Sequence, residues 1–247
     1  MWYAKKGAYE VFVFLNGKTF LLPIERCKSI FYTENRFYFL CENYIRCYDE
    51  SFRLLFQTYN VERNCNRIYV DRSFIYISSP DTGAVYQYSL NGSLFRSIRV
   101  GEHVCDFTVA GESLYTVSYH DNKLFQIKNM EIVKNILLDE MPQTVLFDKN
   151  IFVLLNNEFY SYIELFNEHL DLIKKIRMPR QIGELFLWNH KLIFSGYEFN
   201  YVLDKNLNFL SIKKSTGKLL CRYSDDLLYC DDTVWKFDPI NNFSYPL

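Results

Sequence analysis

Six times along its length the chain repeats one unit: a short apolar strand, a polar turn and a second, longer apolar strand. It reads IFYTENRFYFLC from Ile30, IYVDRSFIYISS from Ile68, FTVAGESLYTVS from Phe107, VLFDKNIFVLL from Val145, LFLWNHKLIFS from Leu185 and LLCRYSDDLLYC from Leu219. A repeat of this kind constrains architecture before any local assignment does, because each unit needs its neighbours to bury its apolar faces. The second strands begin near Phe37, Phe74, Leu114, Ile151, Leu192 and Leu227, at spacings of 37, 40, 37, 41 and 35 residues. After each pair comes another hairpin, as in VYQYSLNGSLFRSIRV, where apolar alternation flanks an Asn91-Gly92 turn. Four short strands per period predict an all-β fold, a β-propeller of compact four-stranded antiparallel blades. A sandwich demands no fixed four-strand period, and an α-solenoid needs helical apolar spacing that these alternating runs lack. EIVKN and EHLDLIKKI come nearest to that spacing, and both fall where the repeat places strands.

The ends are read by the same alignment. YEVFVFLNGKTFLLPIE matches a third-and-fourth-strand hairpin on its Asn16-Gly17 turn, ahead of the six full copies. The expected organisation is a single domain over 1–247, with 1–25 as a partial blade or closing strands and 26–247 as six repeats. Residues Trp2 to Lys5 are expected to supply the second strand of the first blade, and the C-terminal FSYPL its innermost strand. That arrangement closes seven blades, which is favoured over six with the N-terminal hairpin as an accessory.

Charge narrows the partners. With 28 Lys plus Arg against 29 Asp plus Glu, the net charge of −1 gives no bulk field for phosphate backbones or anionic membranes. Nucleic acid is therefore not a default partner. Lys134, Lys174, Lys175, Lys213, Lys214 and Lys218 fall mostly on outer-strand patterns or blade joints, where charge prevents edge-to-edge pairing. No run reaches membrane-spanning length and the N-terminus lacks an apolar signal core, so the expectation is a soluble, cytoplasmic chain with no membrane partner. Seven cysteines without a CxxC pair, most of them in apolar strand patterns, predict reduced and buried thiols rather than a disulfide framework.

The segment IYVDRSFIYISSPDTGAVYQYSLNGSLFRSIRV resembles blades of the NHL and YVTN propeller families. A short strand ends in Val-Asp, an IYI-type second strand follows, then a polar loop and a hairpin. WD dipeptides and kelch glycine pairs are absent. The resemblance implies architecture and not activity, since such propellers include binding modules and enzymes alike. It also implies two further possibilities, a divalent ion in the channel as in gluconolactonase-type propellers and RNA binding as in some NHL regulators.

Several constellations invite chemistry. Ser79, Asp81, Gly83 and Tyr86 have the S-x-D-x-G-x-x-aromatic spacing that resembles the Asp-box of sialidases. An Asp-box joins third and fourth strands, whereas this stretch is single and joins second and third, so its residues read as turn formers. The loops from second to third strands, together with the blade joints, are expected to gather at one mouth of the channel. Candidate ligand-binding residues there are Tyr119, His120, Asp121, Asn157, Tyr197 and Glu198 from the loops, and Arg63 and Arg180 from the joints. Glu42, Asn122, Asn157 and Asp232 offer oxygen ligands for Ca²⁺ or Mg²⁺. Loops are rich in such residues, so a solvated rim is preferred and neither a metal nor a cofactor is expected. His120 beside Asp121 lacks an identifiable nucleophile, and His103 with Cys105 has no second Cys/His pair at zinc spacing. No catalytic residue is assigned.

These features predict a non-catalytic binding or scaffolding propeller that takes a protein or peptide at a polar, aromatic mouth. The alternative is a metal-assisted hydrolase or lyase with a divalent ion in the channel. Oligomeric state is not encoded in any motif.

Overall fold

The computed structural model describes residues 2–6, 10–15, 18–59, 61–62, 64–178, 182–188, 190–196, 199–214, 218–223, 226–230, 234–238 and 243–246. Every regular element among them is a strand, and the strands form seven antiparallel sheets in chain order. Sheet one holds β1 (Trp2–Lys6), β2 (Glu10–Leu15) and β3 (Lys18–Leu22). Sheet two holds β4 (Ser29–Thr33), β5 (Arg36–Leu40), β6 (Tyr44–Asp49) and β7 (Leu54–Tyr59). Sheet three holds β8 (Arg67–Val70), β9 (Phe74–Ser79), β10 (Ala84–Ser89) and β11 (Leu94–Arg99). Sheet four holds β12 (Val104–Ala110), β13 (Ser113–Ser118), β14 (Lys123–Lys128) and β15 (Glu131–Leu137). Sheet five holds β16 (Met141–Asp148), β17 (Asn150–Asn156), β18 (Ser161–Phe166) and β19 (Leu172–Arg177). Sheet six holds β20 (Ile182–Trp188), β21 (Lys191–Gly196), β22 (Phe199–Leu203) and β23 (Phe209–Lys214). Sheet seven holds β24 (Lys218–Tyr223), β25 (Asp226–Cys230), β26 (Val234–Asp238) and β27 (Phe243–Pro246).

Each four-stranded sheet is a plain meander of consecutive strands. The second strands start within one residue of the positions read from the repeat; EIVKN lies in β15, and of EHLDLIKKI the last five residues lie in β19 while its start forms the preceding turn. Two compact units divide the chain, Gly7–Glu10 with Pro23–Phe147, and Met1–Lys6 with Val11–Leu22 and Asp148–Leu247. Within the second of these, β1 runs beside β24. The expectation for FSYPL fails: β27 pairs with β26, Phe237 opposite Ser244, and so completes its own sheet instead of the N-terminal one. Only four residues of sequence separate β26 from β27, so local pairing is the lower-entropy closure.

Burial follows strand order. β13 is buried at every residue and β5, β9, β17 and β18 nearly so, while β7, β11, β15 and β19 are largely exposed. A strand covered on both faces has no solvent side and needs no alternation, which is why the second strands read as continuous apolar runs. Apolar clusters bridge neighbouring sheets: Leu40, Ile45 and Cys47 of sheet two pack with Ile68, Ile75 and Ile77 of sheet three, and Val85 with Phe107, Leu114 and Phe125 of sheet four. Phe31 and Tyr69 meet across the first of these seams at 4.9 Å between ring centroids.

The turn from third to fourth strand is built the same way in four sheets. Its first residue, Asp49, Ser89, Asn167 or Asp204, accepts a backbone bond from the fourth, which has positive φ: Phe52, Gly92, Leu170 and Leu207. Side chains reinforce the turn, since Asp49 Oδ1 accepts from the N–H of Ser51 and Arg53, Asn167 Oδ1 from His169 and Asp171, and Asp204 Oδ1 from Asn206 and Asn208. A register shift follows in the strand pairs of all these sheets, the bulge that such a left-handed residue requires.

Asp106 joins three sheets. It is buried on β12, where Oδ1 lies 3.0 Å from Arg67 Nε of β8 and accepts from the Phe107 N–H, while Oδ2 accepts from the Val145 N–H of β16. Burial pushes its carboxyl pKa up, opposed by the Arg67 guanidinium and the two backbone donors.

Candidate binding site

At one end of sheets two to five, the segment leaving the fourth strand is tied to the turn between the second and third strands or to the first residue of the third. Val61 N–H donates to Asn43 O, Val100 N–H to Gly83 O, Leu138 N–H to Asn122 O and Met178 N–H to Ser161 O, at 2.7 to 3.1 Å. All four donors carry buried side chains. Sheet joints and second-to-third turns therefore meet at the same end of each of these sheets. Because the anchor is one apolar residue bonded through its backbone, no sequence motif announces it.

The Asp-box look-alike sits in such a turn. Pro80–Gly83 lies between β9 and β10, and Asp81 accepts a bond from the Asn64 amide. Gly83 has φ +63°, and a Cβ there would fall 1.7 Å from Gly101 O, so the turn and the joint approach too closely for any side chain. Its residues are accounted for structurally.

The structure brings Tyr119, His120 and Asp121 together in the β13–β14 turn and adds His103 from the joint ahead of β12. Ring centroids are 5.3 Å apart for His103 and His120, 5.2 Å for Tyr119 and His120, and 6.0 Å for His103 and Tyr119, all edge-on. The sequence separates His103 from its partners by a whole hairpin, and only the pairing of β12 with β13 reunites them. Tyr119 N–H donates to His103 O at 2.8 Å, which locks turn to joint.

Asp121 fixes this arrangement. Its Oδ2 accepts from the Ser118 hydroxyl and from the Glu102 N–H at 2.7 Å. The Ser118 bond, with the Glu102 bond and the charge of Lys123, holds its carboxyl below the usual range against partial desolvation. Asp121 is thus a bracket beneath the rings. Beside it, Asn122 Oδ1 is buried without a hydrogen-bond partner.

Hydrolytic chemistry finds no support in these positions. Ser118 is fully buried and bonded directly to the carboxylate, with no imidazole between them, and burial raises the Cys105 thiol to about 12. Among the described residues no three His, Cys, Asp or Glu side chains converge as a metal site. Glu42 is paired with Arg26.

Asn157 occupies the corresponding turn of sheet five, where its Oδ1 accepts from the Phe159 and Tyr160 N–H groups at 2.9 and 2.8 Å. That turn displays Phe159 and Tyr160, and the Arg177 guanidinium lies 3.4 Å from the Tyr160 ring centre. Tyr160 is among the aromatics the sequence offers for the rim, but neither Phe159 nor Arg177, seventeen residues beyond Tyr160, is marked by any motif. Arg63, Arg180, Tyr197 and Glu198 lie outside the described residues, as does Asp232.

No protein-family model and no curated protein matches the chain. Solved structures do. A streptogramin B lyase structure aligns with TM-score 0.76 at 10% identity, covering 90% of this chain and 83% of the other. A chain of a mitotic checkpoint complex aligns at 0.74 and 12% identity, over 96% and 83%. The Neurospora crassa Pan2 WD40 domain aligns at 0.70 and 11% identity, over 87% and 76%. Together with the repeated four-stranded sheets, these alignments decide the architecture. The chain is a β-propeller. Its sheets are propeller blades, and at such low identity the likeness extends to fold and no further.

Proposed function

We propose that this propeller is a non-catalytic binding module that captures a protein or peptide at the loop end of its blades. The observation that carries the reading is the three-ring platform of His103, Tyr119 and His120, held by Asp121 and with His120 exposed. Aromatic rings with polar tips, kept rigid by backbone bonds, are the side chains that anchor protein interfaces. That one structural neighbour is a chain of a mitotic checkpoint complex supports the reading. Arg63, Arg180, Asn157, Tyr197 and Glu198 belong to the same proposed surface, and blade three keeps its kinship to NHL and YVTN propellers as part of the proposal. Five unlinked thiols favour a reducing, cytoplasmic setting. The test is affinity capture with the wild-type chain and with His103→Ala/Tyr119→Ala/His120→Ala, compared by quantitative mass spectrometry. The reading expects a specific partner set lost from the variant at unchanged Tm; an identical set captured by both would defeat it.

A second reading, a divalent ion with hydrolase or lyase chemistry, has the orphaned Asn122 Oδ1 in its favour. It requires Tm to rise with Ca²⁺ or Mg²⁺ over an EDTA-treated sample. A flat response removes it.

A further inference from the structure

Blades three and four, both within the unit containing Pro23–Phe147, enclose a groove of about 370 Å³ at the end opposite the ring platform. It is bordered by first-to-second and third-to-fourth turns, with Phe74, Leu114, Ile127 and Met130 among its apolar lining. One wall is a polar rung set by strand register, with Tyr76 opposite Gln87 and Gln87 opposite Arg96. Gln87 is only 3% exposed; its Nε2 donates to the Tyr76 hydroxyl at 3.0 Å, and its Oε1 accepts from Arg96 Nε at 2.7 Å. Burial, with Asp71 nearby, raises Tyr76 to about 12, so its hydroxyl keeps its proton.

This rung aims a cation. Arg96 is fixed through Nε and lies 5.3 Å from the Phe95 ring, which leaves its two terminal nitrogens without a carboxylate among the described residues. A guanidinium held at one edge presents its remaining fork to a carboxylate with little entropy left to lose. Asp71 is not ion-paired with Arg96: its Oδ1 accepts from the Ser73 and Phe74 N–H groups, and its side chain is hydrogen-bonded to the Tyr76 hydroxyl. Among the described residues the one other carboxylate lining the groove is Glu112, exposed on the opposite blade.

We infer that this groove is a carboxylate-recognising subsite for an extended, acidic peptide segment, with Arg96 as the fork and the apolar lining as the seat for flanking side chains. Three features favour a peptide over a free small acid. β11 is the last strand of its sheet, so one side of its backbone is open to strand addition. Leu94 and Phe95, 56% and 60% exposed, continue the apolar surface beside Arg96. Arg96, Arg99 and Lys134 outnumber Glu131 along β11 and β15, which complements an acidic segment. The subsite stands apart from the ring platform and does not depend on it.

The probe is N-acetyl-Leu-Asp-Leu amide, with the isosteric Asn peptide as uncharged control, titrated into full-length protein carrying ¹³C-methyl methionine. The Met130 signal, assigned through Met130→Leu, is expected to move saturably with the Asp peptide. The Asn peptide should bind at least about tenfold more weakly, the scale of a charge-assisted hydrogen bond. Arg96→Gln should lose the same factor, Glu112→Gln should tighten binding, and Tyr119→Ala/His120→Ala should leave it unchanged. Equal titration by the two peptides, or no movement of Met130 at millimolar peptide, overturns the inference without recourse to any variant.

Discussion

Asp106 is the residue on which most depends, because it satisfies donors on three successive blades from within the interior. Asp106→Ala removes the acceptor for Phe107 and Val145 N–H and strips Arg67 of its counter-charge. Leaving a buried N–H donor without an acceptor costs about 1–3 kcal/mol, whereas the half-exposed Arg67 guanidinium regains water, so the two orphaned donors set an expected drop of about 3 kcal/mol in urea-unfolding free energy. A drop below about 1 kcal/mol would mean that the three-blade junction is not structural. Asp121 makes a different, pH-dependent contribution. Its folded pKa lies below the unfolded value near 3.9, so its stabilisation is complete above that value and disappears as pH falls through the lowered one. Urea midpoints of wild type and Asp121→Asn should differ at neutral pH and converge as the pH falls below the usual carboxylate range. A gap that persists undiminished at low pH would assign the effect to shape instead of charge.

Within each blade the third-to-fourth turn is the element that most exposes the relation between sequence and backbone. Gly92 has φ +85°, and a Cβ placed there would stand 2.9 Å from Thr58 Cβ of the preceding blade. Gly92→Ala therefore combines left-handed strain with a clash and should destabilise by about 1–3 kcal/mol, read as a lowered urea midpoint at constant slope. An unchanged midpoint would show that blades two and three do not pack through this turn. The equivalent Phe52, Leu170 and Leu207 tolerate positive φ because their side chains turn inward: Leu170 and Leu207 are buried, and Phe52 stacks on Phe37 at 5.2 Å. This explains what the letters disclosed and what they hid. Asn91-Gly92 advertises its turn, whereas Phe52, Leu170 and Leu207 adopt a glycine's conformation without glycine's signature, and only their place in the repeat exposes them. The exits at Val61, Val100, Leu138 and Met178 were equally silent, since a backbone bond needs no particular side chain.

Across the whole chain, periodicity made the blades legible because every copy votes for the same pattern, and errors in one copy are outvoted by the others. The candidate site had no such redundancy. His103 meets Tyr119 and His120 only through strand pairing, and Arg96 meets Gln87 only through register, so neither association exists in one dimension. The C-terminal strand went astray for the opposite reason: ring closure is a global idea, and local hairpin pairing of β27 with β26 prevailed. Cysteines offer a readout at this scale, for Cys27, Cys41, Cys47, Cys65 and Cys105 all fall in the unit containing Pro23–Phe147 and none is disulfide-bonded. Burial raises Cys47 to about 11 and Cys65 and Cys105 to about 12. At pH 8 a thiol near 12 is ionised to roughly one part in ten thousand, so reagent attacks the opened chain, where the value returns to about 8.5. If the unit unfolds as one body, Cys47, Cys65 and Cys105, which sit on or between blades two to four, will be alkylated at a single rate that rises with urea along the global unfolding curve. Peptide mapping of timed quenches resolves the three sites, and a Cys105 rate tenfold above that of Cys47 would show that blade four opens without blade two.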